Sequence, residues 1–131
     1  MKRVALALAV FVSLMLPSTP SFAEWMKAAS SEGNVFYVDT KIRKHDGHIY
    51  FWALQDYLKP DKKTDALSIK VYREADCGKF RIRSLQLSTH EQPMGRGSPS
   101  VSGPVTDNRW KYPPPGSVSE DVLEKACELA N

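Results

Sequence analysis

The segment from Val35 to Tyr57 constrains the fold more than any other part of the chain, because it predicts two strands joined by a tight turn. Asp46-Gly47 suits a type I′ turn, in which both central residues take positive φ. A two-residue turn at this point fixes the register of the whole hairpin. The predicted pairs are His45 with His48, Arg43 with Tyr50, Ile42 with Phe51, Lys41 with Trp52 and Asp39 with Leu54.

The two faces of this hairpin differ in character, because side chains alternate along a strand. One face is predicted to line the core and carries Phe36, Val38, Thr40, Ile42, Ile49, Phe51 and Ala53. The other face mixes aromatic and charged groups, which are the side chains enriched at protein interfaces and suited to cation–π pairing across strands. We therefore predict a candidate interface made of Tyr37, Lys41, Arg43, Tyr50, Trp52 and Leu54. The alternative is that the N-terminal lead-in or the long loop at 92–108 folds over these rings.

The N-terminus has the three parts of a secretory signal peptide: a basic start, an apolar run from Val4 to Leu16, and small residues before a cut after Ala23. The apolar run is too short for a membrane anchor, which needs about 20 residues. Residues 1–23 are therefore predicted to be a signal peptide and 24–131 a single exported domain. The residue directly after the cut is Glu24 and not a cysteine, so no lipid anchor is expected, and the mature chain is expected to lack an integral membrane segment.

The charge balance argues against a nucleic acid partner. Of the 18 basic residues, Lys2 and Arg3 leave with the signal, and the remaining 16 face 15 acidic ones. A mature net charge near +1 lacks the basic excess of nucleic-acid-binding domains.

The two cysteines, Cys77 and Cys127, predict one disulfide, because an even count in an exported chain is typical of a bridge. The alternative is two buried thiols. Alternation over Ala66–Cys77 predicts a strand with Cys77 on its core side. The spacing of Val118, Val122 and Ala126 predicts a helix over Ser117–Ala130, with Cys127 on its inner stripe and a Ser117/Glu120 capping box.

The remaining segments predict more strands and a long loop. Lys79–Thr89 changes the parity of its apolar residues near Arg83-Ser84, which predicts a β-bulge. Gln92–Asn108 is rich in Gly, Pro and Ser and predicts a mobile loop, either a binding element or a tolerated insertion. Arg109–Tyr112 predicts a short last strand.

No catalytic motif is present in the sequence, so no enzyme activity and no cofactor are expected. His45 and His48 flank the turn and are weak candidates for a metal ion, with Asp46 as the nearest further ligand. Turn-flanking histidines without a metal are the favoured interpretation, because zinc usually needs a third or fourth ligand.

Several short segments, in order, resemble the surface-adhesin protein E family of Gram-negative bacteria. They are Phe36-Tyr37-Val38-Asp39, the Ile49–Tyr57 strand with Phe51-Trp52, Ser68-Ile69-Lys70, Asp76-Cys77, Met94-Gly95-x-Gly97, and Trp110 followed by Pro115-Gly116-Ser117 and a helix reaching Cys127.

The resemblance implies an α+β fold, in which a C-terminal helix packs on a curved antiparallel sheet and is tied to it by a disulfide. It also implies a non-enzymatic adhesin that binds host matrix or serum proteins, with dimers in the type member. The alternative is a soluble periplasmic protein that binds or inhibits an envelope enzyme or has another envelope role. The expected location is thus the periplasm, the cell surface or the medium, and the expected partner is a host or envelope protein or a second copy of the chain.

Overall fold

A computed structural model describes residues 23–131 of the chain. In this range an antiparallel sheet of seven strands is followed by one helix, so the predicted α+β class is confirmed. The signal peptide predicted over residues 1–23 lies, apart from Ala23, outside the described residues. The elements are β1 (Trp25–Ser31), β2 (Asn34–Asp39), β3 (Arg43–His45), β4 (His48–Tyr57), β5 (Ser68–Asp76), β6 (Arg81–His90), β7 (Val101–Pro104) and α1 (Val118–Leu129).

The strands follow the order β1-β2-β4-β5-β6-β7, and β3 pairs with β4 beyond the end of β2. The N-terminal lead-in, whose structure the sequence left open, is the edge strand β1. It pairs with β2 through a turn at Glu32-Gly33, where Gly33 has a φ of 82°. The opposite edge is β7, a strand of four residues.

The hairpin turn is confirmed, and part of the predicted register is wrong. Asp46 and Gly47 have φ values of 49° and 78°, and the pairs His45–His48 and Arg43–Tyr50 form as predicted. Farther from the turn, however, Leu54 pairs with Tyr37 instead of Asp39.

Two extra residues between β2 and β3 cause this shift. The backbone folds on itself there, because Lys41 N donates to Asp39 Oδ1 over 3.0 Å and Ile42 N donates to Thr40 O over 3.1 Å. Lys41 and Ile42 therefore lie outside the ladder, and the predicted pairs Lys41–Trp52 and Ile42–Phe51 do not form. Because the insertion has an even number of residues, the paired residues of β2 keep their predicted faces.

The core lies between the sheet and α1, on the face that the sequence predicted. Val122, Leu123 and Ala126 of the helix are buried against the sheet. We call this side of the sheet the helix face. Its buried strand residues are Val38, Ile49, Phe51, Ala53, Ala75 and Ile82.

The predicted bridge between Cys77 and Cys127 is present, with Cα atoms 5.9 Å apart and a sequence separation of 50. It joins the end of β5 to the last third of α1. The C-terminal helix is thereby tied covalently to the sheet.

The helix starts as the sequence predicts. Ser117 is the N-cap, and its Oγ accepts from Glu120 N over 3.2 Å. The Glu120 carboxylate accepts from the amide of Gly116 over 3.2 Å, one residue before the position expected in a capping box.

The β-bulge predicted near Arg83-Ser84 is present. Tyr72 pairs with Gln86 while Arg73 pairs with Ser84, so Leu85 is the extra residue.

Two predictions for the C-terminal half are wrong. Residues 92–108 contain the 3-10 turn Pro93–Gly95 and the strand β7, where the sequence predicted only a loop. Arg109–Tyr112 forms only a single bridge, between Lys111 and Ile82, instead of a strand. All four residues of β7 are exposed, so this strand is held by backbone pairing to β6 and gives no apolar pattern.

Candidate functional site

The side of the sheet opposite α1, which we call the aromatic face, carries a row of rings on neighbouring strands. The Trp52 and Tyr72 ring centroids are 5.0 Å apart, and those of Tyr50 and Tyr72 are 6.3 Å apart. Lys70 Nζ lies 5.6 Å from the centroid of Trp52, close enough for a cation–π contact. The three rings are half-buried against one another, so they present a preformed aromatic surface.

A loop around the 3-10 turn Pro93–Gly95, which we call the covering loop, covers one end of this row. Its 3-10 turn is fixed by two hydrogen bonds: Met94 N donates to Asp56 Oδ1 and Gly95 N donates to Ser68 Oγ, both over 2.8 Å. Gly95 has a φ of 66°, and a Cβ built on it would lie 2.8 Å from Lys70 Cδ, so a glycine permits this close approach.

The loop is also fixed from below by a buried histidine. His90 Nδ1 donates to Gly97 O over 3.2 Å, because a carbonyl can only accept. Its Nε2 is then the acceptor for the Ser88 hydroxyl, 2.9 Å away. This part of the long loop is therefore ordered by polar contacts and borders the aromatic face.

Trp110 covers the opposite end of the row. The guanidinium carbons of Arg81 and Arg83 lie 4.3 and 4.6 Å from its ring centroid, and His48 meets it edge-on at 5.4 Å. The residues around Tyr50, Trp52 and Tyr72 are thus the stretch of this face left between two covers.

A network of ion pairs lies beneath Trp110, and its centre is the buried carboxylate of Glu74. Arg83 donates to Glu74 Oε1 from Nε over 2.8 Å and from Nη2 over 2.6 Å, and His48 Nδ1 lies 2.7 Å from Oε2. Burial alone would raise the pKa of Glu74, but the hydrogen bonds with His48 and Arg83 outweigh it and hold the pKa below its ordinary value.

Neighbouring groups join the same network. Arg81 Nε donates to Asp76 Oδ2 over 3.3 Å, and His48 Nε2 lies 3.5 Å from the same oxygen. Burial, followed by the charge of Glu74, raises the pKa of Tyr50. Both ring nitrogens of His48 face carboxylates, so this cluster orders the rim of the aromatic face.

Two hollows lie beside the rings. The larger, of about 730 Å³, runs between Trp25 and the covering loop and is lined by Lys70, Met94 and Arg96 among others. The smaller, of about 250 Å³, is lined by Ala23, Trp25, Asp39, Lys41, Trp52 and Lys70. Basic side chains thus lie beside Trp25 and Trp52 at the side of the face nearest β1. They are Lys41, Lys70 and Arg96.

The structure brings together some of the predicted interface residues and separates others. Tyr50 and Trp52 lie in the ring row, Arg43 pairs with Tyr50, and Lys41 borders the smaller hollow. Tyr37 is half-buried beside Leu54, and Leu54 itself is only 1% exposed beneath the covering loop. Leu54 therefore supports the surface from below.

Three residues of this site were missed by the analysis of the sequence: Tyr72, Lys70 and Glu74. Their alternation with Val71 placed them on the face away from the core, which is where they lie. The missing information was that β5 is the neighbour of β4, which pairs Trp52 with Tyr72 and Tyr50 with Glu74.

The side chains of the two weak metal candidates, His45 and His48, lie against carboxylates. His45 Nε2 lies 3.1 Å from Asp46 Oδ2, and His48 contacts Glu74 and Asp76. Within residues 23–131, no three His, Cys, Asp or Glu side chains form a group suited to a metal ion. Over the same range, no helix has the length and apolar character needed to cross a bilayer.

Comparison with known proteins gives a family and a fold. The family model for surface-adhesin protein E matches residues 25–128. No curated protein sequence matches the chain.

Solved structures of protein E from Haemophilus influenzae share the fold. Crystal form II is 13% identical with a TM-score of 0.53, and the match covers 82% of this chain and 97% of that one. Protein E from a non-typeable strain is 14% identical with a TM-score of 0.54, covering 87% and 82%. At such low identity the likeness establishes the fold alone. The family match, in contrast, spans nearly all of the described chain, and the protein belongs to the surface-adhesin protein E family.

Proposed function

We propose that this chain is an exported, non-enzymatic binding module that recognises a protein of the host matrix or serum through its aromatic face. The family is described as surface adhesins, which makes the chain a surface-adhesin-like protein. The observation that carries the proposal is the ring row of Tyr50, Trp52 and Tyr72, held between two ordered covers.

The ring row has the properties of an interface centre. Tryptophan and tyrosine are enriched among the residues that dominate binding energy, because they bury a large area with few rotatable bonds. Their rings already pack against one another at tilted angles of 31° and 42°, so little ordering is needed when a partner docks.

The charges around the rings indicate the partner's character. Lys41, Lys70 and Arg96 line the two hollows, against a single carboxylate, Asp39. A partner segment that carries acidic side chains beside an apolar anchor would complement this surface.

The test is binding of the purified mature chain to a panel of immobilised matrix and serum proteins. Trp52→Ser and Tyr50→Ser should each weaken binding about 10-fold or more, which is the loss expected for a central aromatic residue. Leu58→Ser is the matched control, since Leu58 is 69% exposed and lies beyond the end of β4. Far-ultraviolet circular dichroism and melting temperature establish that each variant is folded.

Unchanged binding by a folded Trp52→Ser variant would show that the aromatic face is not the binding site.

The same variants test self-association. A homodimer formed through this face should become monomeric on replacement of Trp52, as measured by light scattering after gel filtration. A homodimer formed elsewhere would be unaffected.

A further inference from the structure

Arg73 is an arginine on the helix face, and within the described residues its guanidinium forms no hydrogen bond or ion pair with another side chain. It lies on β5 opposite Phe51 and Ser84, beside the apolar core. Its Nε is buried and lacks a hydrogen-bond partner, and within residues 23–131 Arg73 forms no ion pair.

Arg73 as a whole is half-buried, but its Nε is fully enclosed. A charged group that loses hydration without gaining a compensating charge is unfavourable. Burial accordingly lowers the pKa of Arg73. The two arginines of the neighbouring strand β6 are different, since Arg81 and Arg83 are each paired with a carboxylate. Packing alone therefore does not explain why an arginine without a counter-ion lies at this position.

Arg73 lines a cleft of about 510 Å³ between β6, residues 111–114 and the first turn of α1. Ser84, Ser119 and Lys111 contribute polar groups to the same cleft, and none of its lining residues within the described chain is acidic. The Lys111 ammonium is exposed, and its only ion pair in the described chain is a long one of 3.5 Å to Asp107.

The first turn of α1 borders this cleft through Ser119, and the same turn carries the carboxylates of Glu120 and Asp121. Ser119 is the second residue of a helix of 12 residues, and the amides of a first helical turn carry the positive end of the helix dipole. Tyr112, Pro113 and Pro114 form a largely apolar wall beside these donors. The cleft thus combines donors at one side with room for the body of a small organic molecule.

We propose that this cleft binds an oxyanion, a phosphate, sulfate or carboxylate group, with the Arg73 guanidinium as its main donor. Lys111, the hydroxyls of Ser84 and Ser119 and the first turn of α1 complete the site. The disulfide ties the C-terminal part of α1 to β5, and a bound oxyanion would join the opposite end of the helix to the sheet. This inference does not depend on the proposed function, because the cleft lies on the helix face.

The direct test is a titration of the isotope-labelled mature chain with inorganic sulfate, inorganic phosphate and acetate, followed by amide chemical shifts. Sodium chloride at the same ionic strength is the control. We expect saturable shifts at Ser84, Lys111 and Ser119. A response to sulfate and phosphate but not to acetate would indicate a site for a tetrahedral anion. A response to acetate alone would indicate a site for a planar carboxylate. Shifts scattered over the surface, or none at these three amides, would overturn the proposal.

Variants separate the site from general salt effects on stability. Arg73→Met should lose the saturable shifts and the anion-specific rise in melting temperature, and in chloride it should melt no lower than the natural chain. Arg96→Met removes the same charge on the aromatic face and should respond to anions like the natural chain.

Lys111→Gln changes an exposed side chain and should weaken binding about 3- to 10-fold while leaving the fold intact. It therefore provides the test if Arg73→Met does not fold. An anion response in Lys111→Gln and Arg73→Met equal to that of the natural chain would contradict the proposal.

Discussion

At the scale of single residues, Glu74 makes the order of the aromatic face depend on pH. Its carboxylate is 4% exposed and is paired with Arg83 and His48. Its pKa is lowered in the folded chain from an ordinary value of 4.5. A carboxylate with a lowered folded pKa contributes stability that is present above its unfolded pKa and is lost as pH falls through the folded one.

We therefore expect the free energy of unfolding to fall as pH drops below about 5, with Glu74 contributing to the slope. Glu74→Gln should lower stability by about 2 kcal/mol at pH 7, because it leaves Arg83 without its counter-ion. The acid limb should be shallower in this variant than in the natural chain. Urea unfolding at a series of pH values measures both effects, with the exposed Glu91→Gln as control. Parallel pH profiles for Glu74→Gln and the natural chain would exclude this role.

The residues of the aromatic face were predictable in part. Alternation from the Asp46-Gly47 turn placed Tyr50 and Trp52 on the correct face. It also suggested Lys41 as the cation beside Trp52, but the structure gives the cation–π contact to Lys70. The reason is physical: contacts between β4 and β5 depend on strand order, which local alternation does not contain.

At the scale of elements, the helix and the disulfide were the most predictable parts. A capped, amphipathic helix is specified by local signals, and two cysteines allow one pairing within the chain. Strand β7 was not predictable, because its four residues bury no side chain and only their backbone pairs with β6. The two extra residues between β2 and β3 were not predictable either. They are held by local hydrogen bonds and leave the alternation of apolar and polar residues along the strands unchanged.

The bridge between Cys77 and Cys127 should supply a large share of the domain's stability. It closes a loop with a sequence separation of 50. Loop-closure entropy then gives about 4 kcal/mol. Replacing both cysteines by serine should lower the melting temperature by about 10 °C or more, as measured by calorimetry.

Reduction of the natural chain should have a similar effect, and the same reductant should leave the double variant unchanged. A shift of about a degree or less on reduction would show that the bridge contributes little to stability.

At the scale of the whole molecule, the two faces of the sheet carry different features. The helix face holds the core, the disulfide and the cleft at Arg73. The aromatic face has no helix in the described chain and is bordered by the ordered loop and by Trp110. The rings of the aromatic face and the core that keeps the domain folded therefore lie on opposite sides of the sheet.

If the aromatic face meets its partner outside the cell, the mature chain must be accessible there, and cell fractionation with protease treatment of intact cells measures this. We expect the mature chain to be exposed to external protease or released into the medium, while a periplasmic marker in the same cells stays intact. Protection of the chain together with that marker would contradict this expectation and would favour the alternative of a periplasmic protein that binds an envelope partner.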